Sequence, residues 1–430
     1  MKVLMFGWEF PPHISGGLGT ACYGLTKGLA EINDVEVTFV VPKAFGDEDQ
    51  SVMKLIGANN IPIAAKDFYF QEADKSMSYL EVDSLIVPYV SEEDFWKLKN
   101  EKYPRNTRFI ETNEGLKIDF SGSYGAGLMQ EIKNYAVVAG FIARQNHFDI
   151  IHAHDWLAYP AGIAAKRISG KPLVVHVHAT DFDRSGGSVN PGVYAVEREG
   201  MEAADKIITV SNLTRDTVIN KYGISPDKVV TVYNAVEPVD DDPGTLPPKG
   251  IDEKVVTFLG RVTMQKGPEY FIEAASLVLK KMKNVRFVMA GSGDMLDAMI
   301  ARTAQLGIAD RFHFTGFLRG NDVGNLFRMT DVFVMPSVSE PFGIVPLEAM
   351  QLDVPVIISN QSGVAEVLEN VIKVDFWDTF AMADSIHGIL SYPSLSAHFK
   401  KEGRNEVGEL KWVNSAMDVK KVYDSVVFQN

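Results

Sequence analysis

Two carboxylates, Glu340 and Glu348, stand in the stretch Ser337-Val-Ser-Glu-Pro-Phe-Gly-Ile-Val-Pro-Leu-Glu-Ala-Met350, on either side of a proline-flanked turn. Upstream, Asp331-Val-Phe-Val-Met335 reads as a buried parallel strand, so the predicted order is strand, tight loop, helix. Pro346 fits only a first helical turn, where a missing N–H costs nothing. The free N–H groups of that turn, with Gly343 allowing close approach between Phe342 and Ile344, predict an anion site. Glu340 would stand in the loop near a ligand and Glu348 lower on the helix. A carboxylate accepts two hydroxyl donors at once, as a sugar or ribose diol demands. The chemistry predicted is recognition of a sugar attached to a diphosphate. Two isolated glutamates would more simply be solvated. Here they come with Pro, Phe, Gly and a second Pro at fixed places.

Positive charge for such a ligand is available in Phe258-Leu-Gly-Arg-Val-Thr-Met-Gln-Lys-Gly267. A buried strand ends at Gly260-Arg261, and Lys266-Gly267 opens a helix. Arg261 offers a bidentate fork and Lys266 a compact point charge, two complementary ways of holding a diphosphate. A salt-bridged surface pair is the plainer alternative. Gly291-Ser-Gly293 after Phe287-Val-Met-Ala290 reads as a loop that packs on a base or diphosphate, and Phe314-Thr-Gly-Phe317 as a base-contacting strand end.

In the first half, Gly7-Trp-Glu-Phe-Pro-Pro-His-Ile-Ser-Gly-Gly-Leu-Gly-Thr20 follows an apolar strand and leads into a helical pattern, where Gly16 and Gly17 let backbone N–H groups approach an anion. Ile151-His-Ala-His-Asp-Trp156 ends another strand, and His154 and Asp155 lie where a switch point would deliver them to a cleft. His152, His154, His176 and His178 invite a metal. Each His-x-His pair shares one strand face, but no carboxylate or cysteine spacing completes a closed site, so no metal is expected. His176 reads as a core histidine.

The elements that must position these residues alternate. Short β-rich apolar runs (3–6, 35–41, 150–153, 173–178, 206–210; then 255–259, 286–290, 312–315, 332–335, 354–358) are separated by helical patterns. Such alternation predicts parallel sheets covered on both faces. The segment 237–250, with four prolines and three successive aspartates, has linker composition. Two doubly wound domains are therefore expected, 1–240 and 241–413. Residues 44–135 are the least legible and read as an insertion with hairpins that shapes an acceptor site. The chain has 430 residues, a net charge of −14 and one cysteine, Cys22. That balance argues against a nucleic-acid partner and against a disulfide framework. Lys2-Val-Leu-Met-Phe-Gly7 is too short for a signal peptide, and no apolar run reaches the length of about 18 residues that spans a bilayer. A cytoplasmic protein with no membrane partner is expected.

The spacing of Glu340 and Glu348 resembles the E-x7-E motif of retaining glycosyltransferases of GT-B fold, and with Gly260-Arg261 and Lys266 the match is closest to glycogen and starch synthases and their relatives. The resemblance runs from residue 1 to about 415. It implies two Rossmann-like domains facing across a deep cleft, with the last helix, about 414–430, crossing back to the first domain. The glycine loop is similar to the synthase pattern Lys-x-Gly-Gly-Leu, with His13 taken in the lysine's place. By resemblance, His178 would face the donor sugar with Asp181 beside it. Arg261 and Lys266 would stabilise the leaving diphosphate, Glu340 would hold sugar hydroxyls and Glu348 the ribose. The implied reaction moves glucose from ADP-glucose or UDP-glucose to the end of an α-1,4-glucan, with no metal or other cofactor. A small or lipid-linked acceptor, a sugar-nucleotide epimerase, and a non-catalytic nucleotide-sugar- or glucan-binding protein are the competing readings.

Overall fold

The computed structural model describes residues 1–14, 16–63, 109–112, 115–125, 127–238 and 252–428. Most of the 44–135 insertion and nearly all of the expected linker lie outside the described residues. The chain divides into two compact units. One comprises the described residues up to Asn234 together with the last helix, and the other runs from Ala235 to Lys411. The boundary expected at 240/241 thus falls at 234/235.

The first unit is a seven-stranded sheet. In chain order its strands are β1 (Lys2–Phe6), β2 (Glu36–Val41), β3 (Lys54–Gly57), β6 (Ile150–His154), β7 (Leu173–Val177), β8 (Lys206–Thr209) and β9 (Val229–Thr231). All neighbours are parallel, in the spatial order β3-β2-β1-β6-β7-β8-β9. An antiparallel hairpin, β4 (Phe109–Thr112) and β5 (Gly115–Ile118), lies apart from that sheet. β6 and β7 are buried at every position, which is why they read as continuous apolar runs with only histidine interrupting. Helices α1 (Gly17–Ala30), α2 (Leu128–Gln145), α3 (Asp155–Ser169), α4 (Asp181–Ser185), α5 (Pro191–Ala203) and α6 (Asn212–Tyr222) connect the strands.

The second unit has six parallel strands: β10 (Lys254–Leu259), β11 (Val285–Ala290), β12 (Phe312–Gly316), β13 (Val332–Met335), β14 (Val356–Ser359) and β15 (Ile372–Val374). Their spatial order is β12-β11-β10-β13-β14-β15. Helices α7 (Pro268–Lys281), α8 (Leu296–Gln305), α9 (Asn321–Met329), α10 (Val345–Gln351), α11 (Thr379–Ser391) and α12 (Pro393–Val407) complete it. α7 shows how local sequence sets an element. Pro268 opens it, Phe271, Ile272, Ala274, Ala275, Val278 and Leu279 form its buried stripe, and Lys280 and Lys281 complement the dipole at its end. In each sheet the chain starts at a central strand, winds one way, then returns to build the other side. The reversals fall between β1 and β6 and between β10 and β13, and at such points strand ends open outward to receive ligands.

The last helix, α13 (Trp412–Val427), packs on α1 within the first unit. The contact depends on two missing side chains. A Cβ on Gly24 would come within 2.2 Å of the Trp412 indole, and one on Gly28 within 2.5 Å of the Trp412 carbonyl oxygen. A Gly28→Ala variant should therefore unfold at lower urea. Overpacking costs about 1–3 kcal/mol and outweighs the roughly 1 kcal/mol that alanine gains in a helix. Gly17→Ala, where nothing lies within 4 Å, should be neutral or slightly stabilising in the same measurement.

Candidate functional site

In the second unit, the loops leaving β10 and β13 meet at the switch point. Gly267 adopts φ +63°, and a Cβ there would lie 2.2 Å from the Pro336 carbonyl oxygen, so only glycine permits this approach. Gln265, 4% exposed, ties the two loops together. Its carbonyl oxygen accepts from the Val338 N–H at 2.9 Å, and its side-chain amide donates to the Ser339 carbonyl at 3.1 Å. The Gln265 Oε1 in turn accepts from the Arg261 guanidinium at 2.9 Å. One residue further on, the Lys266 ammonium is ion-paired with Glu340, whose Oε2 also accepts from the Ser337 hydroxyl at 3.3 Å. Arg261, Lys266 and Glu340 thus form one cluster at the ends of two adjacent strands. Gln265, which no motif singled out, fixes its spacing.

The backbone around Glu340 is pinned from the other side. Its N–H donates to the Gln361 carbonyl at 3.0 Å, its carbonyl accepts from Gly363 at 2.8 Å, and the Phe342 carbonyl accepts from Val364 at 2.8 Å. Gly343 then turns at φ +101°, with the space of its absent side chain already occupied by Glu340 Cγ and Met335 at 3.1 Å. Ile344 precedes α10, Pro346 falls in its first turn, and Glu348 follows two residues later. Burial pushes the Glu348 carboxyl up to about 7, so near neutral pH it stands poised between charged and uncharged forms. The Phe342 ring is 2% exposed and belongs to the core, so of the residues expected to touch ligand it offers only backbone. Gly291 and Gly293 also take a different role from the one expected. A Cβ on Gly291 would lie 1.8 Å from the Gly260 carbonyl oxygen, and one on Gly293 2.4 Å from that of Val262. They seat their loop against the Gly260–Val262 backbone, where Val262 N–H donates to the Ser292 carbonyl at 2.9 Å. At the end of β12, Phe317 is exposed with the Arg319 guanidinium over its ring at 5.3 Å.

In the first unit the glycine loop joins β1 to α1. Gly16 is the extended N-cap and Gly17 the first helical residue, open to solvent on its Cβ side. Glu9, buried, receives the Gly19 N–H at 3.3 Å and the Tyr124 hydroxyl at 3.0 Å. Counting back from Gly16-Gly17 sets Ile14, not His13, at the synthase lysine's position. The His13 ring instead meets Asp47 at 2.7 Å and stacks on Phe45.

The structure holds His154 and Asp155 in the interior of the first unit. Both are buried, and the Asp155 Oδ1 accepts the backbone N–H groups of His178 at 2.7 Å and Ala179 at 3.3 Å. Asp155 holds a left-handed backbone, φ +56°, to do so, and burial raises its carboxyl to about 6. It is a positioning residue for the strand end that carries His178. The His178 ring is half-buried, its Nε2 lies 2.9 Å from His154 Nδ1, and desolvation lowers its pKa to about 3. It is a neutral imidazole at physiological pH. Asp181 also departs from expectation. It opens α4 under a capping box formed by Thr180 and Asp183, is 1% exposed, and its Oδ2 accepts the Asn190 N–H at 2.6 Å. With Arg184, Glu197 and Tyr222 it forms a buried ionic network, in which Arg184 reaches Glu197 at 2.5 Å.

Two doubly wound parallel sheets, one carrying a cationic and carboxylate cluster at its switch point, define an α/β protein of GT-B type. Residues 247–406 match the family described as Glycosyl transferases group 1, and residues 130–239 match Glycosyltransferase Family 4. The chain is 27% identical over 446 residues to an uncharacterized glycosyltransferase of Methanocaldococcus jannaschii, with 98% of each covered. It is 23% identical over 439 residues to glycogen synthase of Mycobacterium tuberculosis, covering 98% of this chain and 94% of that one. Among solved structures, sucrose-phosphate synthase from Thermosynechococcus elongatus superposes with a TM-score of 0.71 at 17% identity, covering 100% of both chains. Anabaena HepE in complex with UDP-glucose gives 0.64 at 17% identity, covering 99% of this chain and 100% of that one. The chain belongs to the retaining GT-B glycosyltransferases. Among the described residues no helix is long and apolar enough to cross a membrane.

The buried histidines generate a pH dependence. His176 is 2% exposed, and burial, reinforced by His178 and His154, holds its pKa well below 6.5. The unfolded chain takes up this proton below pH 6.5 and the folded chain does not, so this stability is full above 6.5 and is lost as pH falls. His176→Leu lacks the effect. Its unfolding free energy, relative to wild type, should rise by up to about 1.4 kcal/mol per pH unit from 6.5 to 5. Asp155 and Glu197, raised by burial and pulling the other way, are common to both proteins and cancel in the difference. Urea unfolding in chelator across that range checks this, and identical pH slopes would contradict it.

Proposed function

We propose that the chain transfers glucose from a nucleoside-diphosphate glucose to the non-reducing end of an α-1,4-glucan, with retention at the anomeric carbon. The observation that carries the reading is the cluster in which Gln265 spaces Arg261 and Lys266 beside Glu340 at the β10/β13 switch point. Cleavage of the anomeric bond leaves negative charge on the diphosphate. Two preorganised cations aimed at it supply the electrostatic term that is usually the largest in catalysis. Lys266 would then bridge the departing phosphate and Glu340, while Glu340 accepts sugar hydroxyls. A ribose diol donating two hydrogen bonds to Glu348 favours its charged form, offsetting the burial that raises its pKa. His178, neutral, would hydrogen-bond the sugar without adding charge next to the developing oxocarbenium. No metal enters these steps.

Support for the donor comes from Anabaena HepE, solved with UDP-glucose, and for the glucan acceptor from the glycogen synthase relative. A second reading has its own observation. The sucrose-phosphate synthase of similar fold favours a small sugar acceptor.

Incubation with labelled ADP-glucose or UDP-glucose, with and without glycogen, separates these. The expected result is nucleotide release that depends on glycogen, with label in polymer through α-linkages. Arg261→Ala and Lys266→Ala should each lower turnover by about 10²–10³. Full activity in both variants would overturn the donor assignment. Release that needs a sugar phosphate and leaves glycogen unlabelled would establish the small-acceptor reading instead.

A further inference from the structure

The alternation of β6 and β7 places His152, His154, His176 and His178 on one sheet face, and α1 and α13 of the same unit cover it with Cys22 and Tyr423. The rings form a close array. His152 and His154 have centroids 4.2 Å apart, His152 and His176 5.4 Å, His154 and His176 5.3 Å. Exposure is 0% for His152 and His154 and 2% for His176. His152 Nδ1 meets the Tyr423 hydroxyl at 2.6 Å, and His154 Nδ1 meets His178 Nε2 at 2.9 Å. His152 Nε2, His154 Nε2 and both nitrogens of His176 have no hydrogen-bond partner among the described residues. One nitrogen from each of the three lies within 4.8 Å of the others.

Such a cluster is costly as it stands. Each orphaned buried polar atom forfeits about 1–3 kcal/mol, and four adjoin here. We propose that His152, His154 and His176 bind one transition-metal ion of the zinc class, through His152 Nε2, His154 Nε2 and a ring nitrogen of His176, as a structural centre inside the first unit. Imidazole nitrogen is the ligand type that suits zinc, cobalt and nickel. A tetrahedral zinc with bonds of about 2.0–2.1 Å requires the nitrogens to draw closer than 4.8 Å, and ring rotation about the broad χ2 torsion supplies this. The outer contacts have the form that metal-bound histidines use. With an ion on Nε2, His152 Nδ1–H would donate to the Tyr423 oxygen 2.6 Å away, which would hold the ring in that tautomer. In this proposal one histidine from β7 joins two from β6 to supply three ligands, where the sequence reading expected no metal. The ion would link β6 to β7 and, through Tyr423, to α13. It takes no part in glucosyl transfer.

The test uses the full chain produced in medium supplemented with Zn2+ or Co2+ and purified without chelator. Elemental analysis should find about one ion per folded chain, and the cobalt form should show the visible absorption of low-coordinate Co2+. The double variant H152Q/H176Q should lose the ion and the absorption. Tyr423→Phe, which removes no ligand, should remain folded by circular dichroism but yield its metal to chelator at about 10–100-fold lower concentration. H13A, at the group formed by exposed His13 and Asp47 with buried Glu48, should retain full content. Less than about a tenth of an ion in folded wild type, unchanged content in H152Q/H176Q, or loss in H13A instead, would overturn the proposal.

Discussion

Everything the second unit presents at its switch point depends on a close approach of two backbones, the turn at Gly267 against the carbonyl of Pro336. That approach leaves no room for a Cβ, and it sets the loop after β10 beside the loop after β13. Once they are this close, the buried amide of Gln265 has a carbonyl from one loop to donate to and a guanidinium from the other to accept. The arginine, the lysine and the carboxylate then hold fixed spacing before any ligand arrives. Preorganisation of this kind matters because charges already in place do not have to reorganise as the leaving group develops its own. Gly291 and Gly293 repeat the device. Each lets one strand-end loop rest on another, so the site is assembled from backbone contacts and only its rim is side-chain chemistry.

The first unit solves a different problem, the placement of a neutral imidazole. Asp155 accepts a strained backbone and an elevated carboxyl pKa so that its oxygen can hold the N–H groups of His178 and Ala179. Behind that strand end lie three further histidines and the network of Asp181, Arg184, Glu197 and Tyr222, all out of contact with bulk water. Burying so many ionisable groups beside one strand end is expensive. It gives a local structure whose geometry is set by charge and hydrogen bonding as well as by apolar packing.

Much of this was legible in the sequence because the fold's signals are strong and local. Apolar runs located the central strands to within two residues at either end, and Pro346 and Lys266-Gly267 marked helix starts. Strands β3, β9 and β15 escaped notice since each has only three or four residues and starts or ends at a sheet edge. The spacing of Glu340 and Glu348 with Arg261 and Lys266 was readable as chemistry, since those types in that order have few other uses. Gln265 was not. An amide carries no functional signal by type, and its importance arises only when Ser339, distant in sequence, is brought to it. Nor was the network that holds Asp181. A polar residue after a strand end looks exposed until Arg184 and Glu197 fold over it. Strand alternation put each His-x-His pair on one face of its strand, but that the two pairs share a face depends on the β6/β7 register, and whether their nitrogens find partners depends on which helices cover them.

The central claim is that the Arg261–Gln265–Lys266–Glu340 cluster is built to receive a nucleoside diphosphate sugar. A crystal structure of the chain with UDP-glucose or ADP-glucose tests it most directly. The account predicts diphosphate oxygens within hydrogen-bond distance of both Arg261 and Lys266, sugar hydroxyls on Glu340, and the ribose on Glu348. A nucleotide bound elsewhere, or one whose phosphates contact neither cation while Lys266 stays paired only with Glu340, would contradict it.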